Sequence, residues 1–236
     1  MLGDSGSRPK VIIFDVNETL LDLAPLKKSV GEALGGREDL LPVWFSTMLH
    51  YSLVETTTGE YRSFGEIGAA ALVMVAETNQ IELEYDKAKK LIVSSLRSLP
   101  PHDDVVEGLQ ALRQAGYRIV SLTNSSAEGV EAQLRHAQIY DLFEKRYSVE
   151  AVRKFKPHPE TYRSVLSDLN IPAEDALMVA AHAWDLAGAE NVGLQTAFIK
   201  RPGKTLYRHA QQPDYVVNDL RELANVLRPE NSEVRN

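Results

Sequence analysis

Short apolar runs that alternate with amphipathic helical patterns run through much of the chain, and this rhythm leaves few architectures open. The runs are Val11 to Val16, Tyr117 to Thr123, Tyr147 to Val149, Leu177 to Ala181 and Thr196 to Ile199, with a shorter one at Tyr215 to Val217. Apolar runs with little polar alternation read as strands buried on both faces, the kind found in parallel sheets. Between them, Val105, Leu109 and Leu112 form one helical stripe, Val130 and Leu134 a second, and Tyr162, Val165, Leu166 and Leu169 a third. The expectation is an α/β protein whose parallel strands are joined by right-handed helical crossovers.

Residues 22–99 break the rhythm. Trp44, Met48 and Tyr51 recur at helical spacing, Ile67 to Ala76 is strongly apolar, and Leu91, Ile92, Ser95 and Leu96 suggest another helix, but no strand pattern occurs. A helical block inserted after the first strand would sit above the sheet as a cap, so the expected division is a core of residues 1–21 and 100–236 with a cap of 22–99. The other reading is a helical subdomain that only completes the core. Pro100-Pro101 reads as the return hinge, with Asp103 or Asp104 capping the next helix. No internal repeat is visible, and the polar tails at Gly3 to Pro9 and Arg228 to Asn236 are expected to be loosely held.

A chain of 236 residues can bury a sizeable core, as one large domain or a core with an insert. It has no cysteine, which excludes a disulfide framework and thiolate catalysis. A net charge of -7 argues against non-specific nucleic-acid binding while leaving small anionic substrates open. Met1 to Lys10 carries no apolar signal segment and no stretch approaches a membrane span. A soluble, cytoplasmic protein is the expectation, although the lack of cysteine also fits an oxidising compartment.

The positions after the strands hold the chemistry. Asp15 closes the first run, Thr123-Asn124-Ser125 the second, Lys156-Pro157 follows the third, and His182-Ala183-Trp184-Asp185 the fourth. Parallel strands send their carboxyl ends to one side, so groups distant in sequence converge on one crevice. A carboxylate held there is the best nucleophile candidate in the chain.

These segments resemble the haloacid dehalogenase superfamily: strand-Asp-x-x-x-Thr over Phe14 to Leu20, Leu122-Thr123-Asn124, Phe155-Lys156-Pro157-His158-Pro159, and Ala183-Trp184-Asp185. The last two, with Tyr162, are similar to the type II L-2-haloacid dehalogenases. The resemblance spans roughly residues 10–220 and implies a Rossmann-like core with a helical cap. It also implies hydrolysis of the carbon–halogen bond of short 2-haloacids through an aspartyl ester, without cofactor or metal. A homodimer is a further expectation; nucleic-acid and membrane partners are not expected.

By that resemblance Asp15 is the nucleophile, Thr19 orients it, and Lys156 keeps it ionised. Asp185 pairs with Lys156 and helps position or activate the hydrolytic water. His182 stands where the best-known pattern has asparagine, and reads as an alternative base or a partner for Asp185. Thr123 and Asn124 are matched to substrate and halide contacts, and Tyr162, Trp184 and Phe64 to the pocket wall. Read alone, Thr123-Asn124 also suits a turn, Thr19 a helix cap, Tyr162 and Trp184 core packing, and His182 a buried histidine.

Other positions also depart from the family pattern. Asn17 stands where dehalogenases usually carry an aromatic residue and phosphatases of the superfamily a second aspartate, and an amide cannot shuttle a proton. Glu18 replaces the usual glycine, Ala180 the serine, and Phe45 the cap arginine that binds the leaving halide. A ring edge is a much weaker anion contact than a guanidinium. Ala181 also lacks the carboxylate that phosphatases use for Mg²⁺. Three functions stay open: a haloacid dehalogenase, a phosphatase or other hydrolase acting through Asp15, and a non-enzymatic binding protein.

Overall fold

The structure, a computed structural model, describes residues 8–229. Its centre is a six-stranded parallel sheet in the order β3-β2-β1-β4-β5-β6. The strands are β1 (Val11–Phe14), β2 (Arg118–Thr123), β3 (Lys145–Ser148), β4 (Ala176–Ala180), β5 (Gln195–Ile199) and β6 (Tyr215–Val217). Every residue of β1 and β4 is buried, as expected of strands covered on both faces. In this order the chain reverses its direction of growth between β1 and β4, and a crevice opens outside the carboxyl ends of strands at such a point. Asp15 leaves β1 there, and Ala181 and His182 leave β4.

Four helices lie between β1 and Pro100-Pro101: α1 (Ala24–Ala33), α2 (Leu41–Thr58), α3 (Phe64–Thr78) and α4 (Tyr85–Arg97). Ser63 and Glu66 form a reciprocal capping box that starts α3. The buried face of α3 packs against α2 and α4, and the Trp44 indole on α2 donates to the Gly68 carbonyl at 2.8 Å. The chain enters and leaves this helical layer side by side. Asp22 N donates to Pro100 O at 2.8 Å and His102 N to Leu20 O at 3.0 Å, so Pro100-Pro101 lies against the outgoing segment.

The remaining helices, α5 (Val105–Gln114), α6 (Ala127–His136), α7 (Pro159–Leu169), α8 (Ala183–Glu190) and α9 (Leu220–Val226), follow or cross the core strands. The stripes expected on α5, α6 and α7 are all buried. No helix among the described residues is long and apolar enough to cross a membrane.

Three details differ from the sequence reading. The third strand lies at Lys145–Ser148, and Val149 begins a 3-10 turn, because edge pairing with β2 sets its register rather than local apolarity. Asp104 occupies the N-cap position of α5 without capping it: its carboxylate is taken by Arg201 at 2.7 and 3.0 Å and by the Leu220 amide at 2.8 Å. Within the N-terminal tail, Arg8 is tied to the Tyr117 hydroxyl at 2.6 Å, and the rest of both polar tails lies almost wholly outside the described residues.

Candidate active site

Asp15 continues the sheet by one residue, its amide donating to Val179 O at 3.0 Å, so the backbone of β1 and β4 aims its side chain into the crevice. One carboxylate oxygen, Oδ1, receives the Lys156 ammonium at 2.7 Å; the other, Oδ2, receives the Thr19 hydroxyl at 2.7 Å. Thr19 in turn accepts the Ala181 amide at 2.9 Å, which leaves its hydroxyl proton for Asp15. The loop that brings Thr19 round is pinned from outside by Arg201, which donates twice to the Thr19 carbonyl, at 3.0 and 2.9 Å.

Lys156 is 1% exposed and spends three hydrogen bonds on Asp15 Oδ1, Asp185 Oδ2 at 2.6 Å and Leu122 O at 3.0 Å. Its backbone amide donates to Asn124 Oδ1 at 3.0 Å. Tyr162 closes the far side, donating to Asp185 Oδ1 at 2.6 Å. Burial penalises the Asp15 charge, but Lys156 and His182 outweigh it and hold the carboxyl well below the usual carboxylate range. For Asp185, burial pushes the carboxyl up, Lys156 pulls it down and Asp15 adds to the rise, so the net direction is upward. Of the two carboxylates sharing one ammonium, Asp15 is the one whose charge its surroundings favour more. Lys156 itself is raised despite burial, by the same two carboxylates.

His182 is placed differently from the sequence expectation. It contacts Asp15 and Glu18 rather than Asp185: Nδ1 is 3.2 Å from Asp15 Oδ2 and Nε2 is 2.8 Å from Glu18 Oε2. Its ring stacks on Trp184, 5.1 Å between centroids at 28°, and on Phe45, 6.3 Å at 20°. Phe45 thus covers the imidazole where an arginine was expected. Burial disfavours the imidazolium, yet the hydrogen bonds and charges of Asp15 and Glu18 raise His182 to about 9.

The other expected residues divide. Asn124 positions Lys156, and Thr123 Oγ1 accepts the Ser125 amide at 3.2 Å in a local turn, with no hydrogen bond to Asp15. Asn17 turns towards Ser125 Oγ at 3.2 Å and Gln133 Nε2 at 2.8 Å. Phe64 packs on Phe155, centroids 5.9 Å apart, and lines a separate cavity of about 360 Å³ with Ser125 and Gln133. A cavity of about 490 Å³ lies against the site, walled by Glu18, Phe45, Leu49, His182, Trp184 and Lys204 among others. Asp15 does not line it: His182 stands between. Glu18, Lys204 and Arg201 were not picked out as site residues, and the one available signal was Glu18 at a position where the family pattern has glycine.

Asp15 and Asp185 are bridged by an ammonium, and Ala181 offers no further oxygen ligand. This donor set does not suit a divalent cation, and no group of three or more His, Asp or Glu among the described residues could hold one.

A parallel sheet of this order, capped by helices and carrying Asp, Thr, Lys and Asp at its strand ends, defines a hydrolase class. The haloacid dehalogenase-like hydrolase family model matches residues 9–193, and the chain belongs to that family. Within it the chain is similar to haloacetate dehalogenase H-2 of Moraxella sp. (strain B), 30% identical over 92% of this chain and 97% of the relative. It is also similar to (S)-2-haloacid dehalogenase 2 of Pseudomonas sp. (strain CBS-3), 27% identical over 92% and 94%. The structure of L-2-haloacid dehalogenase from Xanthobacter autotrophicus superposes with a TM-score of 0.88 at 26% identity, covering 94% of this chain and 99% of that one. In another structure of that enzyme, with a TM-score of 0.87 at 25% identity, chloropropionic acid is covalently bound. The chain is accordingly a hydrolase of the (S)-2-haloacid dehalogenase-like kind.

Proposed function

We infer that the protein hydrolyses the carbon–halogen bond of short 2-haloalkanoic acids through an ester on Asp15, with no metal. The observation that carries this reading is the buried Asp15–Lys156–Asp185 array with Thr19 on the second Asp15 oxygen. An ionised, desolvated and oriented carboxylate is what in-line displacement needs. An Asp15 oxygen bonds to the carbon next to the substrate carboxylate as the carbon–halogen bond breaks, and the halide leaves with the bonding pair. Water then adds to the Asp15 carbonyl carbon, the hydroxy acid departs, and one solvent oxygen stays on Asp15.

Substrate approaches from the cavity beside His182. With Phe45 in place of an arginine, the groups left to balance the substrate's and the halide's charge are Lys204, the imidazolium of His182 and the Asn124 amide. A phosphatase would share Asp15 and Lys156, but Asn17 is held by Gln133 and Ser125 and has no proton to exchange with a leaving alcohol.

The test is halide release from haloacetate and from both enantiomers of 2-chloropropanoate, with and without EDTA, with turnover in oxygen-18 water followed by digestion in ordinary water and mass analysis to follow label into Asp15. Chelator-insensitive halide release with label in Asp15 is expected. Magnesium-dependent phosphate release from p-nitrophenyl phosphate without halide release would overturn the reading.

A further inference from the structure

Glu18 has φ +63°, in the left-handed region that a residue with a side chain occupies only under strain. Glycine would sit there freely, so the question is what the glutamate contributes. Its carboxylate lies 2.8 Å from His182 Nε2 and 2.6 Å from the Lys204 ammonium. The opposite ring nitrogen of His182 faces Asp15 at 3.2 Å, and Phe45 and Trp184 hold the imidazole on its two faces. Nucleophile, imidazole and orienting carboxylate thus stand in line. A base within reach of the nucleophile and oriented by a third group is the general signature of a hydrolytic triad.

The geometry points to His182 as the general base that hydrolyses the Asp15 ester, with Glu18 as its positioning residue. This rests on the ester mechanism above and names the group that completes it. Asp185, the other candidate, has 0% exposure, accepts from Lys156 and Tyr162, and lines no described cavity. It serves the ammonium. His182 borders the cavity from which water comes.

The charges facing His182 are Asp15 and Glu18; Lys204 reaches Glu18 and Lys156 reaches Asp15 from their outer sides. In the resting enzyme they favour imidazolium. Esterification removes the Asp15 charge, so as halide departs His182 gives its Nδ1 proton to solvent and keeps its Nε2 proton on Glu18. A water then bonds to the Asp15 carbonyl carbon and passes a proton to His182 Nδ1. Collapse breaks the ester bond, His182 protonates the departing alcohol oxygen, and the Asp15 carboxyl proton returns to His182. One water is consumed, and one proton and one halide are released.

Rapid-quench kinetics with 2-chloropropanoate and haloacetate, with mass analysis of the Asp15 peptide, tests this. His182→Gln and His182→Asn should each give a burst of one halide per site, accumulate ester on Asp15 and slow its hydrolysis by ~100-fold or more. Glu18→Gln keeps the backbone strain and removes only charge; it should slow the same stage and move its acid limb to lower pH. An NMR titration of His182 needs no substrate, and Asp15→Asn, neutral like the ester, should lower its pKa. Ester hydrolysis at the wild-type rate in both His182 variants would overturn the assignment, as would a His182 pKa unmoved by Asp15→Asn. Absence of any Asp15 ester or label in the wild-type enzyme would instead remove the mechanism itself.

Discussion

The charge state of His182 can be read from stability without any substrate. In the unfolded chain this histidine titrates near its ordinary 6.5; in the fold, Asp15 and Glu18 overcome burial and raise it to about 9. A tenfold change in proton affinity is worth ~1.4 kcal/mol, so the protonated ring contributes on the order of 3 kcal/mol of folding free energy. Because the folded value lies above the unfolded one, the contribution is fully present below pH 6.5 and is lost as pH rises through about 9. His182→Asn keeps a polar side chain but cannot titrate. Urea unfolding of both proteins at several pH values from 6 to 10 should show the wild type more stable at pH 6 and the gap narrowing by about 3 kcal/mol at the alkaline end. Parallel curves would mean that His182 is neutral in the resting protein, and the linkage to Asp15 would be refuted.

Other perturbations probe the frame around this site. Arg201→Met strips Asp104 of its buried partner and frees the Thr19 carbonyl, and should cost about 3–5 kcal/mol in urea unfolding; adding Asp104→Asn should recover part of that. Lys156→Met leaves Asp15 and Asp185 buried without a cation, so it should destabilise by a similar ~3–5 kcal/mol. It should also let Asp15 titrate at higher pH, giving ester formation an acid limb that the wild type lacks. Gly188→Ala would set its methyl 2.5 Å from Pro157 Cβ and 2.7 Å from the Tyr162 hydroxyl. A cost of about 1–3 kcal/mol and a slower reaction are expected, as Tyr162 is pushed from Asp185.

Much of the site was legible because its residues come from the segments that follow strand ends, Asp15 directly and Lys156 after the 3-10 turn beyond β3. Asp15, Lys156 and Asp185 meet as the strand ends required, and Thr19 needs only a tight loop to return its hydroxyl to Asp15. Helices were legible for the same local reason, since Val105, Leu109 and Leu112 mark α5 without reference to anything else. Less legible were groups whose partners come from other loops. Thr123 accepts an amide within its own turn, and Phe64, in the helical layer, turns to Phe155. Arg201 and Lys204 follow β5 with no local pattern to separate them from ordinary surface cations.

The amino-acid order determined that a parallel sheet would form and that a carboxylate, an ammonium and a second carboxylate would collect at the carboxyl ends of its strands. Period and strand-end placement are local properties, and crossover handedness leaves the chain little freedom. What the order could not decide was the partner of His182. That choice depends on the left-handed turn at Glu18, on Lys204 arriving from beyond β5, and on Phe45 and Trp184 closing over the ring. These contacts join segments far apart in the chain, and their directions exist only once the sheet and the helical layer have packed together.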